Sequence, residues 1–181
     1  MATLSKIEFV QFGPYKIVGK EMRTKIVEVN PIYQTEYQTI PSLWQQCFSD
    51  GTYDVLLNMR DYIPREISSN FVGYMRDFCE EDGTFTYLVG MFMNTDIPVP
   101  EGYSSYDIPA GTIAKAWIEG EEYDIYPNTY RLTVDAVKQN GYDVDWSNYY
   151  SCEVYTEQRF GIPKNNGQKT VILDYYLPVI K

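Results

Sequence analysis

An order of patterned segments that occurs twice constrains this chain most: a strand beside a proline break, a helix, then a hairpin. In the first copy, residues 6–29 alternate loosely between apolar and polar and are interrupted at Gly13-Pro14, which predicts a bent or broken strand. Ile40, Leu43, Trp44, Cys47 and Phe48 then recur at the spacing of one helical stripe. Thr39 is placed to cap that helix, Pro41 falls where a first-turn proline is tolerated, and Asp50-Gly51 ends it. Val55, Leu56 and Met59 suggest a further short helix. Residues 71–78 and 84–93 are apolar and aromatic, and Glu80-Glu81-Asp82-Gly83 joins them as a hairpin.

Residues 94–106, rich in Pro, Gly and Ser, read as a connection to the second copy. There, residues 111–118 form a strand behind Ile108-Pro109-Ala110. Asn128 is placed to cap a helix whose apolar positions include Tyr130, Val134 and Val137, with Leu132 and Ala136 beside them. Asn140-Gly141 stops it. Residues 151–158 and 170–179 are the closing hairpin, with Pro163 to Gly167 as its turn. The expectation is an α+β fold: one domain over residues 1–181, built from two pseudo-repeats at about 6–94 and 107–181. Sliding Val72-Gly73-Tyr74-Met75 onto Cys152-Glu153-Val154-Tyr155 puts Gly73 opposite Glu153 across the pseudo-twofold. One copy then supplies a carboxylate and the other supplies space.

Composition narrows the chemistry. The chain has no histidine, which excludes Ser-His-Asp and Cys-His nucleophile systems and histidine metal sites. A formal net charge of -10 argues against binding nucleic acid through a basic surface. Cys47, Cys79 and Cys152 are odd in number, far apart and without a C-x-x-C, so neither a zinc site nor a disulfide framework is expected. No cofactor or metal is implied. With no apolar signal core and no membrane-length apolar run, the expected location is the cytoplasm. Eighteen tyrosines are many for 181 residues and suit walls that contact flat ligands.

Ser151, Glu153, Tyr155 and Glu157 share one parity of their segment, so a carboxylate and a phenol face the same way. On the residues alone, a solvated strand face is the simpler reading of Glu153. Trp44 lies on a clean helical stripe and suits the core or a pocket edge. Trp117 suits core or wall equally. Tyr87, Met91 and Met93 share a parity, and Met75 with Met91 would give an adaptable wall. Asp174 is an acid inside an apolar run, for which an edge position facing water is the plain explanation.

Several segments, in order and over nearly the whole chain, resemble the GyrI-like small-molecule-binding domain, which is also the effector-binding domain of some AraC- and MerR-type activators. They are Phe12-Gly13-Pro14-Tyr15, the Leu43-Trp44 helix, Val72-Gly73-Tyr74, Tyr87-Leu88-Val89-Gly90, Ile108-Pro109-Ala110-Gly111, Glu153-Val154-Tyr155 and Tyr176-Leu177-Pro178. The resemblance implies duplicated, SHS2-like β-α-β-β units with antiparallel sheets around a central ligand cleft, and a stand-alone member without a helix-turn-helix region. It implies aromatic walls around a buried glutamate that attracts lipophilic cations, which falls on Glu153, with Glu157 as second candidate. The candidate ligand-binding set is therefore Glu153, Tyr155, Gly73, Met75, Trp44, Tyr87, Met91, Trp117 and Glu157. The expected function is binding of amphipathic, often cationic, aromatic small molecules, with neither nucleic acid nor membrane as partner. The resemblance also carries a hydrolytic alternative on reactive cyclopropane-bearing compounds, with Glu153 as general base and Tyr155 orienting the electrophile. A third implied role is that of a gyrase-inhibitor-like protein partner.

Overall fold

The structure, a computed structural model, describes residues 1–25, 39–67 and 70–181. Residues 26–29, which the sequence reading gave to the opening strand, lie outside the described residues. In the first half, β1 (Thr3–Phe12) and β2 (Tyr15–Lys25) flank a cis Gly13–Pro14 bond. Then follow α1 (Ile40–Ser49), α2 (Thr52–Asn58), β3 (Phe71–Arg76) and β4 (Thr84–Met93). In the second half come β5 (Ser104–Ile108), β6 (Gly111–Glu121), α3 (Glu122–Ile125), α4 (Thr129–Gln139) and β7 (Asp143–Val144). The chain closes with β8 (Ser151–Tyr155), α5 (Ile162–Asn165) and β9 (Thr170–Ile180).

The strands form one antiparallel sheet in the order β1-β6-β9-β8-β3-β4-β2-β5, with β7 on the end of β9. Read outward from the centre, the halves mirror each other: β3-β4-β2 on one side and β8-β9-β6 on the other. The edge strands are exchanged. β1 pairs with β6 of the second half and β5 with β2 of the first. Two short links, Gly13-Pro14 and Pro109-Ala110, therefore tie opposite ends of the sheet together. They touch, since a Cβ on Gly13 would lie 2.9 Å from the Pro109 carbonyl oxygen. The sheet must curl, and the inside of the curl is a core of Phe12, Tyr15, Phe92, Tyr74 and Tyr176.

The other face carries the helices in two groups. Leu43 and Cys47 of α1 and Leu56 of α2 pack on Val18, Val89 and Met91. Thr39 caps α1 as expected, accepting from the Ser42 N–H at 3.3 Å. Ile125 and Phe160 pack on Ala116, Ile118 and Leu173, while Val137 of α4 packs on Ala114 and Val179. The pairs β8 and β3 run through the gap between the two groups.

Three local expectations are corrected. The penultimate strand stops at Tyr155 rather than continuing to Gln158, because Thr156 caps a π-helical turn over Glu157–Gly161 and accepts from the Arg159 N–H. Pro163 then stands in the first turn of α5 rather than in a hairpin turn. Asn128 does not cap α4 with its side chain; its amide donates to the Asp124 carbonyl at 2.8 Å. The buried stripe of α4 is Thr129, Thr133, Ala136 and Val137, whose small side chains let the helix lie close to the sheet, and Tyr130 is left outside.

Candidate functional site

The two halves meet at the β3–β8 pair, where Gly73 stands directly opposite Glu153. Alternation along β8 turns Cys152 and Val154 into the curled core and aims Glu153 and Tyr155 at the gap between the helix groups. Two phenols converge on one carboxylate oxygen. Tyr87, from β4, donates to Glu153 Oε2 at 2.8 Å, and Tyr155 donates to the same atom at 2.9 Å. The indole N–H of Trp44, from α1, donates to the Tyr87 hydroxyl at 3.1 Å. The Trp44 ring lies edge-on to Tyr155, with centroids 4.9 Å apart. Two strands and a helix thus fix a chain of hydrogen bonds that ends on a single acid.

Gly73 is required by this arrangement. A Cβ there would overlap the Tyr87 hydroxyl, lie 2.8 Å from Tyr87 Cζ and 3.1 Å from Glu153 Oε2. The missing side chain is the passage through which Tyr87 reaches across β3 to the acid on β8.

The electrostatics are set by burial. Desolvation pushes the Glu153 carboxyl above the ordinary carboxylate range, and the Tyr87 and Tyr155 hydrogen bonds pull partly the other way. Both phenols are raised well above their usual value by burial and then by the Glu153 charge, so they keep their protons and donate. No Lys or Arg among the described residues forms an ion pair with Glu153. Asp174 is the instructive contrast. It is fully buried, not the water-facing edge residue expected, and Arg159 grips it through Nε at 2.8 Å and Nη2 at 2.6 Å. One buried acid is neutralised from within the fold. The other has only neutral donors.

The remaining candidates divide. Met75 is half-buried and packs against both helix-side clusters, at the seam between the halves. Met91 is fully buried under α1 and α2, a core residue of the first half. Trp117 is on the wrong face. It pairs with Asp174, which pairs with Val154, whereas Glu153 pairs with Tyr175, which pairs with Ala116. Trp117 instead stacks under the Arg159 guanidinium at 4.9 Å and Lys6 Nζ at 4.0 Å. Glu157 lies exposed in the π-helical turn and no longer shares the parity of Glu153.

Sequence reasoning missed Tyr126 and Tyr175. Tyr126, just beyond α3, lies within hydrogen-bonding reach of Tyr155, feels the Glu153 charge and donates to Glu122 Oε2 at 3.2 Å. Tyr175 is the β9 neighbour of Glu153. Tyr175 could have been found from the strand register; Tyr126 follows a four-residue helix that leaves no periodic signal.

The chain thus has an antiparallel sheet of two mirrored halves with helices on one face and, at the seam, a carboxylate held by phenols and without a cationic partner among the described residues. It belongs to the GyrI-like small-molecule-binding family: residues 5–180 match the GyrI-like small molecule binding domain. Among curated proteins none matches it with significance. Solved structures share the fold at low identity. SAV2435, solved bound to tetraphenylphosphonium, is 13% identical, with 97% of this chain and 94% of that one covered and a TM-score of 0.61. An integron cassette protein from the mobile metagenome of Vibrio cholerae is 14% identical over 99% of both chains, with a TM-score of 0.55. EcmrR, solved in a complex with DNA, is 15% identical with a TM-score of 0.62; the match covers 97% of this chain and 57% of that one. Among the described residues, no helix is long and apolar enough to cross a membrane.

Proposed function

We propose that this chain binds amphipathic organic cations carrying aromatic rings, with Glu153 as the charge partner. The observation that carries this reading is the state of Glu153: half-buried among aromatic side chains, held by two neutral phenols, and without a cationic partner among the described residues. A buried carboxylate in that setting is stabilised by any cation that reaches it, and delocalised cations gain a further ~0.5–2 kcal/mol from good aromatic faces. The tetraphenylphosphonium complex of SAV2435, a protein of the same fold, supports the ligand class. The test is a titration with tetraphenylphosphonium followed by tryptophan fluorescence or calorimetry. Wild type should bind at micromolar concentrations, and Glu153→Gln should lose at least tenfold in affinity. Equal affinities would remove Glu153 from the site.

A second reading rests on the Tyr155–Glu153 distance of 2.9 Å. A carboxylate of raised affinity for protons beside a phenol is also a general base beside a group that can orient an electrophile. Absorbance assays on a cyclopropane-bearing alkylator, with wild type and Glu153→Gln, separate the two. Turnover in wild type that the variant lacks would make the chain a hydrolase; background rates in both leave it a binder.

A further inference from the structure

We propose that Trp44 occupies the ligand site in the free protein, so that ligand entry requires its indole to leave, and that this residue sets both affinity and the size of ligand admitted. The inference rests on the cation-binding reading above and deepens it. Three observations lead to it. The indole N–H is spent on the Tyr87 hydroxyl, which is the group that donates to Glu153. The ring lies edge-on to Tyr155, the second donor to the same oxygen. Trp44 therefore touches both phenols that hold the carboxylate, the position from which an incoming aromatic cation would approach. Two hollows that open on the described surface, one beside Pro109 and Tyr150 and one beside Arg159 and Pro163, are not lined by Glu153.

Of the three rings in the hydrogen-bond chain that ends on Glu153, Trp44 is the least enclosed. Tyr87 is 1% exposed and is fixed in the middle of β4, paired on both sides. Tyr155 ends β8 and is wedged between Trp44 and Phe160, whose ring centroid is 4.8 Å away. Trp44 is half-buried on a short helix, and its outer neighbour on the same stripe, Phe48, is 58% exposed. Rotation of the indole would break the hydrogen bond to Tyr87 and the edge-to-face contact with Tyr155, disturb its stack on Tyr53 at 6.3 Å, and open the half-buried carboxylate further to the gap. A ligand ring that stacks on Tyr155 replaces the lost contact, and its positive charge displaces no cation paired with Glu153 among the described residues. A ligand without an aromatic ring would restore neither.

A self-occupied site binds more weakly than an open one by the fraction of time it is open. Removing the indole should therefore tighten binding, whereas removing a mere wall residue would loosen it. The experiment compares tetraphenylphosphonium affinity and association rate, by calorimetry and stopped-flow, in wild type, Trp44→Phe and Trp44→Ala, each checked for cooperative unfolding. Trp44→Phe keeps an aromatic ring while deleting the N–H latch and part of the indole's volume, so it reports even if Trp44→Ala does not fold. The expected result is affinity about three- to tenfold tighter in both variants, with a faster association rate, the size expected for one net hydrogen bond. Unchanged or weaker binding in Trp44→Phe overturns the inference. Adding Glu153→Gln to the Trp44→Phe background separates this failure from that of the binding reading. If Glu153→Gln still costs tenfold while Trp44→Phe gains nothing, only the occupancy is wrong; if Glu153→Gln has no effect in either background, the charge partner is wrong and the occupancy falls with it.

Discussion

Gly73 stands across from Glu153 in the central strand pair, and the volume its missing Cβ leaves is filled by the Tyr87 hydroxyl on its way to the carboxylate. The two halves of the chain are thus unequal at the one point where their symmetry would make them identical. A glycine on one side and an acid on the other turn a seam between repeats into a polar spot under aromatic rings.

Gly73→Ala tests that relationship. The added methyl would overlap a ring that is fixed in the core, so Tyr87 or β3 must shift. Overpacking of this kind costs roughly 1–3 kcal/mol. Urea unfolding should show that loss, and tetraphenylphosphonium binding should weaken as Glu153 loses a donor. A variant as stable as wild type would mean that the glycine is incidental.

Burial of Glu153 makes a stability prediction with a definite sign. Its carboxyl holds the proton more tightly in the folded chain than in the unfolded one. The associated stability is complete below the unfolded-chain value and is lost as pH rises through the folded-state value. Glu153→Gln, which cannot ionise, should therefore be more stable than wild type at pH 7, by about 1 kcal/mol. The gap should shrink toward pH 4. Thermal unfolding across pH 4–8 measures it, and a gap that is constant or widens toward acid would contradict the account.

Asp174 should behave oppositely. Asp174→Asn removes the charge that Arg159 grips, and breaking a buried pair costs about 3–5 kcal/mol, toward the lower end here because Arg159 keeps contact with water. The loss should appear in urea unfolding. Because Asp174 shares a face with Val154 and not with Glu153, tetraphenylphosphonium affinity of the folded variant should stay within about twofold of wild type. A large affinity loss would mean that the two acids act as one site.

Much of this was legible in the residues. The helix from Ile40 announced itself through its cap and stripe, and the register of Gly73 on Glu153 followed from the repeated plan because strand pairing has only two parities. What was not legible came from contacts distant in sequence. Asp174 reads as an edge residue because nothing in the sequence marks Arg159 as its partner; only the helical turn after Thr156 brings the guanidinium back over β9. That same turn removed Glu157 from the face of Glu153. For Trp117, core and wall read equally well because its parity is visible but not the face that parity occupies, which depends on how β6 pairs with β9. Tyr126 reaches the site from beyond a helix too short to have a pattern.

The most direct test of the central claim is the pH dependence of tetraphenylphosphonium affinity in wild type and Glu153→Gln. If Glu153 is the charge partner, wild-type affinity rises with pH as the carboxyl loses its proton, levels off above its raised folded-state value, and exceeds that of Glu153→Gln by tenfold or more at pH 8. The variant should show no such rise. Parallel curves for the two proteins, or a wild-type affinity independent of pH between 4 and 8, would contradict it.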